Sequence, residues 1–232
     1  MKGSFWTRML DLVSPRSCAI CRQRLSATES VVCATCHLHL PLTHFERTPQ
    51  DNEMARRFWG IVPVERAAAL FFYEPQSELS TLVYDLKYHQ QPEIGEQMGR
   101  LTARQFDAAG FFQGIDAIVP VPLSRMRQWR RGYNQSMEIA HGISLQTGIP
   151  ICKRAVRRTS FKESQTHLSL WQRHANINQV FQLGNERLIK GKHLLIVDDI
   201  VTTGATVAAV AEELLKADGV TISVLSLGYT KS

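Results

Sequence analysis

Residues 193–206 constrain the fold more than any other stretch of the chain. The apolar run 194–197 has the pattern of a strand buried on both faces. Two carboxylates, Asp198 and Asp199, follow directly. A loop of small residues comes next: Thr202, Thr203, Gly204, Ala205 and Thr206. Val207, Val210, Leu214 and Leu215 then recur at helical spacing. This order of strand, acidic pair, hydroxyl-rich loop and helix has a chemistry. The first N–H groups of a helix lack partners within it and carry partial positive charge, so they suit a phosphate. Gly204 permits close backbone approach, and the three threonines offer hydroxyl donors. The carboxylates would repel a phosphate; they suit hydroxyl groups, a metal ion or a developing cation. A sugar phosphate meets all of these demands at once.

At 232 residues there is room for one α/β domain of ordinary size and a small appendage. The net charge of +6 is unevenly spread. Between 120 and 175 stand Arg125, Arg127, Arg130, Arg131, Lys153, Arg154, Arg157, Arg158, Lys162 and Arg173, against Glu138 and Glu163 alone. That window carries +8 and the remainder −2. Such local concentration points to an anionic ligand or nucleic acid. No run of about 18 apolar residues occurs, so no integral membrane segment is expected. Residues 1–13 are interrupted by Arg8 and Asp11 and do not read as a signal peptide. Their apolar residues, Phe5, Trp6, Met9, Leu10 and Val13, fall at helical spacing and suit core packing or contact with a membrane surface. A cytoplasmic location is expected.

Cys18, Cys21, Cys33 and Cys36 form two C-x-x-C knuckles eleven residues apart. Two such turns can surround one Zn²⁺ tetrahedrally with four thiolates. Disulfides are disfavoured in a cytoplasmic chain, and a redox dithiol needs only one such pair. The expectation is therefore a structural zinc ribbon. Cys152 reads as a core residue. Residues 40–63, with Pro41, Pro49, Gly60 and Pro63, read as a connector. Residues 1–60 are thus expected to form an N-terminal helix and zinc-ribbon module with its connector, and 61–232 the main domain.

In that domain, strands are expected over 66–73, 115–119, 151–156, 193–198 and 220–227. Helices are expected over 79–88, 93–109, 135–148 and 205–217. Residues 157–166 read as a mobile loop, followed by a short helix over 169–176. Alternating strands and helices imply a parallel sheet with right-handed crossovers. Pro120 and Pro122 end the strand near Val119 and open a loop holding Arg125, Arg127, Arg130 and Arg131. A strand end, a basic loop and a helix start form a second anion site, unless the loop is merely a solvated face. Ligands of open α/β sheets bind at the carboxyl ends of strands. Ends at Val119 and Asp198 would share one crevice with two phosphate sites.

Residues 196–206 resemble the phosphoribosyl-pyrophosphate (PRPP) motif of type I phosphoribosyltransferases at every defining position. The resemblance implies ribose hydroxyls on Asp198 and Asp199, with the 5′-phosphate on Thr202, Thr203, Gly204, Ala205 and Thr206. Pyrophosphate would fall to Arg125, Arg127, Arg130, Arg131 and Lys87, with Mg²⁺ accompanying PRPP. A closer resemblance is to the ComF family of competence and DNA-utilisation proteins. It rests on an ordered set: the double C-x-x-C, Leu86-Lys-Tyr88, Val119-Pro-Val-Pro122, Arg131-Gly-Tyr-Asn-Gln135, Thr166 with Arg173, Phe181, and the terminal motif. It implies an α/β fold of the type I phosphoribosyltransferase kind, a parallel sheet with flanking helices, plus a small N-terminal four-cysteine zinc ribbon. It also implies a role in handling imported single-stranded DNA, with DNA-uptake machinery proteins as partners.

One departure limits the chemistry. Purine-base members of the wider superfamily carry an aspartate just before the Thr-Gly pair of the loop, where Thr202 stands here. A threonine is no general base at neutral pH. Three functions remain open. The first is a PRPP-binding protein that handles DNA through Arg157, Arg158, Lys162, Trp129, Tyr133 and Trp171. The second is an active phosphoribosyltransferase with another acceptor. The third is a PRPP-responsive adaptor without chemistry.

Overall fold

The computed structural model describes residues 16–88, 91–159 and 180–231. In chain order its elements are α1 (Ala34–Leu38), α2 (Glu53–Arg56), β1 (Arg66–Phe72), α3 (Leu79–Tyr88), α4 (Pro92–Asp107), β2 (Ala117–Pro120), α5 (Arg125–Arg131), α6 (Gln135–Thr147), β3 (Val156–Arg158), β4 (Phe181–Leu183), β5 (His193–Val201), α7 (Ala205–Leu214) and β6 (Thr221–Tyr229). Four strands form one parallel sheet in the order β1-β6-β5-β2. The apolar run of β5 lies at its centre, and Leu194, Leu195, Ile196 and Val197 are fully buried. Strands enclosed on both faces read as near-continuous apolar runs.

Three expectations are corrected here. The strand expected over 193–198 continues to Val201, because pairing with β6 runs on through Ile200↔Gly228 and Val201↔Tyr229. The acidic pair therefore sits within a paired strand rather than after it. The basic segment is a helix, α5, rather than a loop. The Ser124 side chain accepts from the Arg127 N–H at its start, and Gly132, at φ +80°, ends it in the left-handed region. The strand expected over 151–156 reduces to a single bridge, Ile151 to Ile118. The regular strand β3 begins at Val156 and pairs antiparallel with β4, so Arg157 and Arg158 lie in a ribbon rather than in a loop. The helix expected over 169–176, the remainder of the expected mobile loop, Lys162, Trp171 and the N-terminal stretch 1–13 lie outside the described residues.

The segment read as a connector has a structural task. β1 is an edge strand, and a bare edge presents unpaired N–H and C=O groups. Residues 41–52 satisfy them. Phe72 N–H donates to Pro41 O (2.8 Å), Thr43 N–H to Leu70 O (3.1 Å) and Ala67 N–H to Pro49 O (2.8 Å). Buried Asn52 donates to Ala67 O (2.8 Å) while its Oδ1 caps α2 through the Met54 and Ala55 N–H groups. Phe45 meets Phe72 and Tyr229 edge-on, with ring centroids 5.5 and 5.7 Å apart. Phe58 is buried at the end of this segment.

Helices α4 and α6 approach closely because glycines line their contact. A Cβ on Gly142 would lie 1.9 Å from Glu96 O, and one on Gly99 2.2 Å from Ile139 O. Backbone cannot yield at such distances without separating the helices. Asn134 caps α6 by accepting from the Ser136 N–H, and Gly148 at φ +76° ends it. Gly142→Ala is expected to destabilise the fold by about 1–3 kcal/mol, read as a lower midpoint in urea or heat. An unchanged midpoint would contradict this packing.

Candidate functional site

The parallel register brings Pro120 of β2 beside Val197 of β5. The residues that follow both strands therefore share one end of the sheet, where α5, the start of α6 and the loop into α7 meet. Asp198 and Asp199 stand there, both partly buried. Two adjacent carboxylates repel, and each is held by its own partners. Asp198 Oδ1 accepts from Ser136 Oγ at 3.0 Å and from the Asp199 N–H at 2.9 Å. Asp199 Oδ1 accepts from the Ile200 N–H at 2.8 Å. Its other oxygen lies 3.1 Å from Lys87 Nζ. Burial, with the Asp199 charge adding to it, raises Asp198 from the usual carboxylate range to about 7.

The loop beyond the pair has the form expected of an anion cradle. Thr202, Thr203, Ala205 and Thr206 are exposed, and Gly204 is buried at φ +80°. A Cβ there would lie 3.1 Å from Phe58 Cε1, so backbone conformation and lack of space both require glycine. Gly204 occupies the N-cap of α7 and has no side chain to offer the first-turn N–H groups. The Ala205 N–H has a long contact with Thr203 Oγ1, at 3.4 Å. Beneath the loop, Arg57 is fixed by Tyr229 Oη (2.7 Å) and Thr230 O (3.1 Å).

The basic residues divide into two groups. Arg125, Arg127 and Arg130 are exposed on α5 beside Met126 and Trp129, which is 86% exposed. Arg131 turns inward: its guanidinium donates to Gln135 Oε1 at 2.8 Å and lies 5.3 Å from the Tyr88 ring centroid. Lys87 belongs to the acidic pair rather than to the α5 group. Tyr133 is half-buried against the core and donates from Oη to Leu86 O at 2.5 Å. Arg157 is exposed and donates to Gln182 Oε1. Arg158 stacks on Phe181 at 5.2 Å. Its pKa is pushed down by burial and by the Arg127 charge and held up by Asp198.

Ser136 and Phe58 carry no sequence signal that ties them to the site. Gln135 and Ser136 are buried at the start of α6, and Ser136 reaches Asp198 across 62 positions of sequence. Only its place directly after the capping asparagine and Gln135 could flag it.

The four knuckle cysteines converge. All four sulfurs lie within 4.8 Å of one another. Cys21 and Cys33 sulfurs are 3.8 Å apart, matching the ~3.8 Å between ligands of a tetrahedral Zn–thiolate site with bonds of about 2.3 Å. Cys33 N–H points at Cys18 Sγ and Cys36 N–H at Cys33 Sγ, each at 3.4 Å. Such N–H groups stabilise thiolate charge. The donor set can hold one metal ion. Among the described residues, no helix is long and apolar enough to cross a membrane.

The chain is similar to known proteins. A family model for the phosphoribosyl transferase domain matches residues 59–227. The chain is 33% identical to the DNA utilization protein YhgH of Escherichia coli (strain K12) over 221 residues, 92% of this chain and 90% of that one. It is 32% identical to Competence protein F of Haemophilus influenzae over 142 residues, 60% and 62% of the two chains. Among solved structures, a glutamine PRPP amidotransferase from B. subtilis complexed with ADP and GMP gives a TM-score of 0.42 at 18% identity, covering 61% of this chain but 30% of that one. Adenine phosphoribosyltransferase from Saccharomyces cerevisiae gives 0.36 at 18% identity, over 56% and 65%. The phosphoribosyl transferase match spans most of the chain, and the YhgH match covers nearly all of it. The chain belongs to the ComF family of competence and DNA-utilisation proteins, built on a type I phosphoribosyltransferase fold.

Proposed function

We propose that the crevice between β2 and β5 binds PRPP with Mg²⁺, and that the chain uses this ligand in handling single-stranded DNA. The observation that carries the ligand is the Asp198–Asp199 pair one loop ahead of the glycine-capped start of α7. Ribose hydroxyls donate to the two carboxylates. The N–H groups and hydroxyls of 202–206 take the 5′-phosphate. Arg125, Arg127 and Arg130, exposed on α5, neutralise pyrophosphate. Mg²⁺ bound there would supply further positive charge to the diphosphate oxygens, and the four cysteines would hold a structural zinc. Isothermal calorimetry with PRPP and Mg²⁺ tests the assignment. Binding is expected with the native chain and is expected to weaken at least tenfold in Asp199→Asn, which removes a charged hydrogen-bond acceptor. Absence of heat with the native chain would count decisively against it.

The DNA role draws support from the names of the relatives and from one surface. Trp129 and Met126 project from α5, and Tyr84 and Tyr88 are more than half exposed with ring centroids 4.8 Å apart. Aromatic faces among arginines are how single strands are held without sequence preference: bases stack and phosphates pair with cations. Trp129→Ala is expected to weaken binding of an oligothymidine strand by about tenfold with its salt dependence kept. Arg127→Ala is expected to reduce the salt slope by about one. Fluorescence anisotropy at several salt concentrations reads both, and no binding at low salt would remove the DNA role.

A second reading, phosphoribosyl transfer, is favoured by Asp198, whose raised pKa of about 7 suits proton exchange near neutral pH. Release of pyrophosphate from PRPP with a candidate acceptor, abolished in Asp199→Asn, would establish it. The same shift has a stability consequence. A carboxyl raised above its unfolded value of 3.8 holds its proton more tightly when folded. Stability therefore falls as pH rises from about 4 to about 7 and levels off above. Asp198→Asn keeps an oxygen for Ser136 and removes that cost. It is expected to melt above the native chain at pH 8, with the gap closing towards pH 5; an equal gap at both would contradict the burial of charge.

A further inference from the structure

Four successive residues at the end of α3 contact four different parts of the molecule. Asp85 is fully buried and ion-paired with Arg22, whose Nη2 donates to Oδ1 at 2.9 Å and whose Nη1 lies 2.6 Å from Oδ2. Leu86 O accepts from Tyr133, at the junction of α5 and α6. Lys87 pairs with Asp199. Tyr88 lies under Arg131. Consecutive helical residues point about 100° apart, so one turn can reach all four directions.

Arg22 immediately follows Cys21. It adopts φ +64°, and its N–H donates to Cys18 O at 2.9 Å. The turn of the first knuckle thus decides where the guanidinium sits. A buried carboxylate that loses its cation keeps the desolvation penalty without the compensating charge. Asp85 could then regain water only if the last turn of α3 moved. Lys87 is two residues along that turn.

We infer that Arg22 and Asp85 are positioning residues for the ribose site. They set the last turn of α3 and, through it, the Lys87–Asp199 pair. The four-cysteine module is thereby coupled to the crevice through the Arg22–Asp85 ion pair. The inference rests on the PRPP assignment of Asp199 for its consequence in binding, but not for the coupling itself.

Hydrogen exchange and calorimetry on the full zinc-loaded chain test both parts. Arg22→Ala is expected to speed amide exchange in 82–88 and 198–206 while β1 stays protected. It is expected to weaken PRPP–Mg²⁺ by about tenfold. With Lys87→Ala already present, Arg22→Ala should add little further loss, because both act through one contact. Asp85→Asn keeps the shape and drops the buried charge; added to Arg22→Ala it should return exchange in 82–88 towards the native rate and serves where Arg22→Ala alone fails to fold, and no such relief would count against the inference. Arg56→Ala, which loses an exposed pair with Asp51 at 2.8 Å and a contact with the Trp59 ring at 5.8 Å, should leave the crevice unchanged. Faster exchange confined to 16–40, or fully additive losses in the double variant, would overturn the inference. A native chain that gives no heat with PRPP–Mg²⁺ rejects the PRPP assignment, while the exchange pattern still decides the coupling.

Discussion

Two like charges on neighbouring residues of a buried strand are the constraint on which the rest of the molecule turns. Asp198 and Asp199 repel each other and lose solvent, yet β5 continues through them to Val201. The surrounding elements meet that cost. α6 supplies Ser136, α3 supplies Lys87, and the strand supplies the Asp199 and Ile200 N–H groups. The compensation is partial, because Asp198 still has a raised affinity for a proton. A site of this kind is poised for donors it does not itself contain, and vicinal sugar hydroxyls are such donors. Perturbed carboxylates of this sort are characteristic of functional positions.

A similar double use of contacts organises the periphery. Residues 41–52 close the open edge of β1, and Phe58, six residues further on, fills the space under Gly204. A segment that protects a sheet edge thus also shapes the anion loop. On the other side, the four-cysteine module reaches the crevice through Arg22 and the last turn of α3. The phosphoribosyltransferase fold is in this way braced from two directions by residues that precede its first strand. Truncating the chain before β1 would expose an edge and remove the Arg22 cation from buried Asp85 together.

Much of this was legible in the sequence, and the reasons are local. α3 carries helical spacing in buried Leu82, Val83 and Leu86, and Asn134 and Gly148 mark the ends of α6. The apolar run of β5 announces a central strand, and the knuckle spacing announces convergent sulfurs. What was missed depends on partners distant in the chain. Acidic residues ended the apolar run of β5, so its continuation, dictated by pairing with β6, left no trace. Four arginines in seven residues concealed α5, although Ser124 and Gly132 bracket it. The cover over β1 is made by backbone bonds, which impose no periodicity. Ser136 and Lys87 acquired their roles at the acidic pair only when the sheet brought three elements to one end.

The central claim is that the acidic pair and the Gly204 loop together hold one ribose 5-phosphate. A crystal structure of the chain grown with PRPP and Mg²⁺ measures this most directly. The expected density places the ribose hydroxyls within hydrogen-bonding distance of Asp198 and Asp199 and the 5′-phosphate over the N–H groups of 202–206. A phosphate seated on the exposed arginines of α5 alone, with both carboxylates still bound only by their own protein partners, would contradict it.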